Sequence, residues 1–285
     1  MPMDDLVTLP FEGAFSLVDT LKSGQLFHWE PYTLGEIAGF AGCIGDHPPS
    51  FVAQLESGAL VTLPEDRERV TRYFGLDHSL DKIQATFPAN DPVLAAAMAY
   101  CPGIRIVRQP MWECLATFIT SSLKQVTHIR AMSMTLRERY GERHVMGDRF
   151  FYAYPKPSVL AAVGESALRE CSLGYRAKSL HRAAETIAGG GIDLSAIERE
   201  PSIAAARNAL MQLHGVGEKI ANCALLFGAG RWEAFPIDVW IERILRELYR
   251  KRLKGAKLQA WALKYFGANA GYAQQYLFHF ARKTL

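Results

Sequence analysis

The chain has 285 residues, of which 49% are hydrophobic and 21% charged, with 32 Lys and Arg against 29 Asp and Glu. Such a composition belongs to a globular protein able to bury a core as one or two domains, and it excludes collagen-like, coiled-coil and disordered chains. No apolar run reaches the roughly eighteen residues of a membrane span, and the acidic start MPMDDLVTLPFEG lacks the pattern of a secretory signal.

Taken in order, residues 1 to about 65 read as strands. AFSLVDTL, QLFHWE, LGEIAGFAG, SFVAQLE and ALVTL are short, rich in Val, Phe, Ile and Leu, and separated by turn residues. They predict an antiparallel sheet of about five strands. From Pro64 the periodicity becomes helical. Helices are expected over 65–74, 79–86, 91–100, 111–122, 125–140, 158–164, 165–171, 176–188, 202–213, 218–228, 237–252, 257–266 and 269–283. Pro110 opens one of them, and the glycine clusters at 189–191 and 228–230 close two others. The expected architecture is α+β: a small N-terminal antiparallel β-sheet domain with linking helices over 1–104, and a larger all-helical domain over 105–285.

Five cysteines (Cys43, Cys101, Cys114, Cys171, Cys223) are scattered and odd in number, without zinc spacing, so free thiols are expected. None follows Cys223, which removes a C-terminal four-cysteine iron–sulfur loop. Basic residues gather twice, over 124–156 and, with seven bases and one acid, over 243–257. Such runs are ordinarily solvated helix faces; a nucleic-acid phosphate is the other partner that suits them.

The most informative stretch is LHGVGEKIANCALLFGAGRWEAFPIDVWIERIL, residues 213–245. Gly215 and Gly217 allow a sharp turn between two helices and a close backbone approach. The free N–H groups and the dipole of the second helix make an anion site that a nucleic-acid phosphate suits. Alone, GVG is a tight connector and Asp238 after Pro236 is a helix cap. Lys219 changes the balance, because a cation in a first turn stands against the helix dipole and a lysine amine is a nucleophile.

The order helix, GVGxK, helix, PxD resembles the helix-hairpin-helix DNA glycosylases, and the lysine their bifunctional glycosylase/AP lyase members. More closely, the chain resembles the 8-oxoguanine DNA glycosylase family over nearly its whole length. SGQLFHW (23–29), YFGLD (73–77), RQPMWECLATFITSS (108–122), LGYRAK (173–178), GVGEKIANC (215–223), PIDV (236–239) and YAQQYLFHFAR (272–282) have counterparts there in the same order.

The resemblance implies a base-excision-repair enzyme that flips an oxidised guanine out of duplex DNA. It implies that Lys219 attacks C1′ of the damaged nucleotide and forms a Schiff base, and that Asp238 stabilises positive charge at the sugar. Cys223 and Phe278 match the two faces of the base pocket, and Gln274 the group that bonds the Watson–Crick edge. Gly24 matches a carbonyl that accepts from N7–H of 8-oxoguanine, where guanine has only an acceptor. Tyr175 and Arg176 match a pair that wedges the duplex and contacts the orphaned cytosine; Gly215 and Gly217 match the hairpin that grips DNA.

Departures from the pattern cluster after Ser122. Leu123, Lys124 and Gln125 stand where eukaryotic members carry asparagines that pair with the opposite cytosine, and His128 where they carry an arginine. Leu123 is expected as an apolar wedge, with cytosine reading left largely to Arg176 and hence a relaxed opposite-base preference. Trp240 replaces a phosphate-contacting histidine, and His214 a proline of the hairpin.

Other readings are a monofunctional alkylbase glycosylase, opposed by Lys219 and Gln274; an iron–sulfur glycosylase, opposed by the missing cysteines; a non-catalytic DNA-binding protein, opposed by Lys219 with Asp238; and an RNA-binding module. No metal or organic cofactor is expected, although hairpin carbonyls suit a monovalent cation by analogy. The expected partner is double-stranded DNA bound by a monomer, in the nucleoid or nucleus and away from membranes.

Overall fold

A computed structural model describes residues 5–122 and 124–284. The N-terminal sheet has the order β1-β5-β4-β3-β2, all antiparallel: β1 Val7–Leu9, β2 Glu30–Leu34, β3 Ile37–Cys43, β4 Pro49–Gln54 and β5 Leu60–Thr62. Two of its strands are not the expected ones. AFSLVDTL instead contains helix α1, Leu17–Lys22, because Ser16 caps it by accepting from the Asp19 amide. QLFHWE stays irregular up to Glu30, because side chains rather than a ladder satisfy its neighbours. Gln25 accepts from the Val107 amide and donates to the Arg105 carbonyl, and Gln109 donates to the Gln25 carbonyl.

The central strand β4 is buried on both faces. Val52 packs with Leu9, Leu60, Trp29 and Phe74 on one side. Phe51, Ala53 and Val61 pack on the other under Tyr32 and Met146. Met146 belongs to an unexpected hairpin, β6 Arg143–Met146 and β7 Arg149–Tyr152, joined by a two-residue Gly147–Asp148 turn with Gly147 at φ 60°. That turn fits the II′ type, with positive φ at its first central residue. The hairpin is fastened to the sheet by Tyr32 Oη donating to the Met146 carbonyl and by Arg149 donating to the Pro31 carbonyl.

The remaining elements are helical: α2 Arg67–Tyr73, α3 Leu80–Gln84, α4 Pro92–Tyr100, α5 Met111–Thr120, α6 Val126–Tyr140, α7 Pro157–Leu168, α8 Arg176–Ala188, α9 Leu194–Arg199, α10 Ile203–Leu210, α11 Glu218–Phe227, α12 Val239–Glu247, α13 Gly255–Phe266 and α14 Ala270–Thr284. Gly164, at φ 83° and ψ 159°, breaks α7 where two helices were expected to meet. The short α9, capped by Asp193, was not expected. Helix α12 ends five residues before its expected limit, because Arg250 takes φ 58° and Lys251 bonds back to the Leu245 carbonyl. The basic stretch is therefore helical only at its two ends, in α12 and at the start of α13.

The largest core holds Leu80, Ile83 and Leu94 together with Leu115, Leu225 and Tyr276, so the chain's last helix closes over its early ones. Gln275 donates to the Ser23 carbonyl and Tyr272 accepts from the Ile106 amide. Through these bonds α14 is laid against the Ser23–Gln25 turn, which is where the site forms.

Candidate active site and nucleic-acid interface

The hairpin between α10 and α11 brings the first site residues into place. Gly215 has φ +80°, and any Cβ there would collide with the Ser179 side chain. Gly217 is extended, at φ −95° and ψ −179°, so only the first glycine supplies the left-handed turn. What Gly217 supplies is space: nothing lies within 4 Å of where its Cβ would be. No side chain among the described residues caps α11, leaving its first amides available to an anion. His214, exposed, bonds Ser179 through Nδ1 at 3.2 Å.

Helix α11 is buried from Ile220 to Phe227 against α5, with Phe227 stacked on Phe118 at 5.5 Å. This packing carries Lys219, on its first turn, to the end of α5. There Nζ donates to Ser121 Oγ at 3.3 Å and lies 5.1 Å from the Phe118 ring centre. Asp238 is the N-cap of α12, accepting from the Trp240 and Ile241 amides at 3.1 and 2.9 Å. Its expected capping role thus holds. Burial pushes its carboxyl above the usual carboxylate range, while the Ile241 amide and the Lys219 charge pull it down.

Lys219 and Asp238 line one cavity of about 720 Å³, together with Gly24, Trp240, Phe278 and Arg282. Gly24 is at φ +84°, with Phe278 Cε1 3.0 Å and Arg282 Nη1 3.1 Å from where a Cβ would sit. A side chain at Gly24 would close this end of the cavity. Part of the rim is formed by Ser122, Lys124, Gln125 and Val126, the loop after α5; Lys124 and Gln125 are exposed. Leu123, the expected wedge, lies outside the described residues.

Two expected pocket residues are not among the described residues that line the cavity. Cys223 and Gln274 are buried. Burial pushes the Cys223 thiol up to about 11, against the neighbouring Lys219 charge, so it is a thiol at neutral pH. Gln274 Oε1 is buried without a hydrogen-bond partner among the described residues. Such an orphan needs a reason, and a bound ligand supplies one.

Tyr175 is exposed. Arg176 is buried instead. Its guanidinium lies 4.4 Å from the Tyr175 ring centre, and both Nε and Nη2 donate to the Ser122 carbonyl. It therefore holds the rim loop in this structure. His128 is exposed on α6 and absent from the cavity lining.

Phe118, Ser121 and Arg282 belong to the site but were not singled out from sequence. A signal existed for Arg282: Gln274, Phe278 and Arg282 recur at i, i+4 and i+8, on one face of a helix.

Residues 8–115 match the model of the N-terminal domain of 8-oxoguanine DNA glycosylase, and residues 117–260 that of the HhH-GPD superfamily of base excision DNA repair proteins. An Arabidopsis thaliana protein named N-glycosylase/DNA lyase OGG1 is 30% identical over 91% of this chain and 75% of its own length. A solved structure of MBOgg1 with a low-affinity DNA ligand is 31% identical, with a TM-score of 0.90 over 99% of this chain and 97% of that one. The 8-oxoguanine glycosylase/lyase of Clostridium acetobutylicum, bound to double-stranded DNA with cytosine opposite 8-oxoG, is 27% identical, with a TM-score of 0.87 over 99% of each chain.

Proposed function

Because the chain belongs to the 8-oxoguanine DNA glycosylase family, within the helix-hairpin-helix superfamily of base excision DNA repair proteins, we propose that it removes 8-oxoguanine from duplex DNA and then nicks the strand. One observation carries the assignment of roles: an amine, Lys219 Nζ, and a carboxylate fixed by two amides, Asp238, line the same cavity beside an uncapped helix start.

The hairpin amides and the free first turn of α11 grip a phosphate of the damaged strand. The nucleotide turns into the cavity at an unstacking cost of a few kcal/mol. Phe278 stacks on the base, Gln274 meets its Watson–Crick edge through the unpaired Oε1, and the Gly24 turn meets N7–H. The Lys219 amine attacks C1′ as the bond to the base breaks, and the proton shed by its nitrogen goes to the leaving base. The opened sugar forms a Schiff base with Lys219, and loss of a C2′ proton expels the 3′ phosphate. Asp238, buried and electrostatically coupled to Lys219, stabilises positive charge at C1′ and on the amine. Discrimination against guanine rests on the N7 proton, since a donor facing the Gly24 carbonyl becomes a repelling acceptor. With Lys124 and Gln125 exposed at the rim and His128 exposed away from it on α6, reading of the opposite base is relaxed.

Borohydride trapping on a duplex carrying one 8-oxoguanine tests this. A covalent protein–DNA band is expected from the native protein and none from Lys219→Gln, with base removal in the variant lower by at least about 10³-fold, the scale of losing a nucleophile. Base loss without any trapped band would assign the water-based alkylbase mechanism instead. No band and no base loss would reject the substrate.

A further inference from the structure

Helix α14 places three side chains in a row. Gln274, Phe278 and Arg282 are spaced by four residues, so they lie on one face with successive steps of about 6 Å along the axis. Phe278 is in the middle. A purine stacked on it has one edge toward Gln274 and the opposite edge toward Arg282. Arg282 already touches this arrangement: its guanidinium carbon is 5.4 Å from the Phe278 ring centre, and Nη1 stands 3.1 Å from the Cβ position of Gly24. It lines the same cavity as Lys219 and Asp238. Nη1 is buried and has no hydrogen-bond partner among the described residues.

An unpaired buried guanidinium donor is costly and calls for an acceptor that arrives with a ligand. Arginine can only donate. On the edge facing Gly24, 8-oxoguanine presents N7–H with an oxygen on either side, at C6 and at C8. Guanine has the first oxygen but carries hydrogen at C8. A donor aimed at C8 pairs with the lesion and is stranded by the normal base, and a buried donor left unpaired is how a site rejects an analogue strongly.

We propose that Arg282 is a specificity-determining residue of the pocket, donating to the oxygen at C8 of the flipped base. The inference rests on the proposed function. It supplies a second check beside the Gly24 turn, one that reads the added oxygen rather than the altered N7. Lesions that keep this carbonyl after opening of the imidazole ring fall within the same recognition.

The test compares Arg282→Leu and Arg282→Lys with the native protein on two duplexes, one with a single 8-oxoguanine and one with a single abasic site. The ratio of 8-oxoguanine removal to abasic-strand cleavage should fall at least about tenfold in Arg282→Leu, the scale of one charge-assisted hydrogen bond, and less in Arg282→Lys. In a Lys219→Gln background, Arg282→Leu should also lower the ratio of affinities for the 8-oxoguanine and guanine duplexes. Equal losses on both cleavage substrates in both variants would overturn the proposal, pointing to a phosphate contact or a structural role. An unchanged ratio, or equal weakening toward guanine and 8-oxoguanine duplexes, would overturn it as well. Native protein that leaves 8-oxoguanine in place would reject the proposed function and this inference with it; an active native protein with an unchanged ratio would reject the inference alone.

Discussion

Two walls of one cavity are built differently. On the hairpin side, α11 is buried from Ile220 to Phe227, and Asp238 is held by two amides of α12. On the rim loop after α5, Lys124 and Gln125 are exposed, α6 begins without a side-chain cap among the described residues, and Arg176 is spent on the Ser122 carbonyl. The first wall is preorganised, which is what electrostatic catalysis demands, since its groups then need no rearrangement as charge develops. The second presents surface groups with little to hold them, so on the proposed function it recognises through adaptable contacts. The chemistry and the reading of the opposite strand are therefore separable.

The largest effect that sharpens this contrast is expected at Asp238. Asp238→Asn should lower base removal by about 10²- to 10⁴-fold. It should barely change thermal stability, because Asn caps a helix about as well as Asp. A large fall in melting temperature would show the residue to be structural. The same carboxylate sets a pH limb. Its folded value is raised by burial, so the ionised form is lost on acidification earlier than for an exposed aspartate. Base removal should fall through a limb above the ordinary Asp value of about 4, and a pH–rate profile flat down to that value would break the assignment.

An intermediate effect is expected at the hairpin, where the two glycines should behave differently. Gly215→Ala meets both a positive φ and the Ser179 side chain, and should cost at least about 1–2 kcal/mol of stability, read from denaturant unfolding. Gly217→Ala has open space and an ordinary φ, so it should fold normally and weaken DNA binding at low salt. Equal stability losses would remove the distinction between a turn glycine and an approach glycine.

The smallest effect belongs to the adaptable wall. Excision opposite cytosine should exceed excision opposite the other three bases by less than tenfold, about 1.4 kcal/mol. A preference above tenfold in single-turnover rates would show that Arg176 leaves the Ser122 carbonyl when DNA binds and reads cytosine after all.

Much of the helical part was legible along the chain, because helices are local and announce themselves by period, caps and breakers. Gly164 broke a helix where the pattern changed, and Asp238 capped α12 as its position after Pro236 implied. The sheet was harder. AFSLVDTL is apolar enough for a strand, yet a Ser16–Asp19 cap makes it a helix. The hairpin Arg143–Tyr152 carries a readable Gly147–Asp148 turn, but its strands RHVM and RFFY are only four residues each, too short to display an alternation. Its place on the sheet depends on Tyr32 and Arg149, contacts more than a hundred residues apart in sequence.

By itself, the sequence determined the helix-hairpin-helix unit, the lysine on its first turn, the capping aspartate and the resemblance that relates them, because each is written in residues close together along the chain. Tertiary structure alone decided that Lys219 meets Ser121, that Arg176 turns inward to the rim loop, and that Arg282 Nη1 stands beside Gly24 without a hydrogen-bond partner among the described residues. Those relations join segments far apart along the chain. They follow from how α14 and α11 pack, and no local propensity encodes the face of a helix that a distant turn will meet.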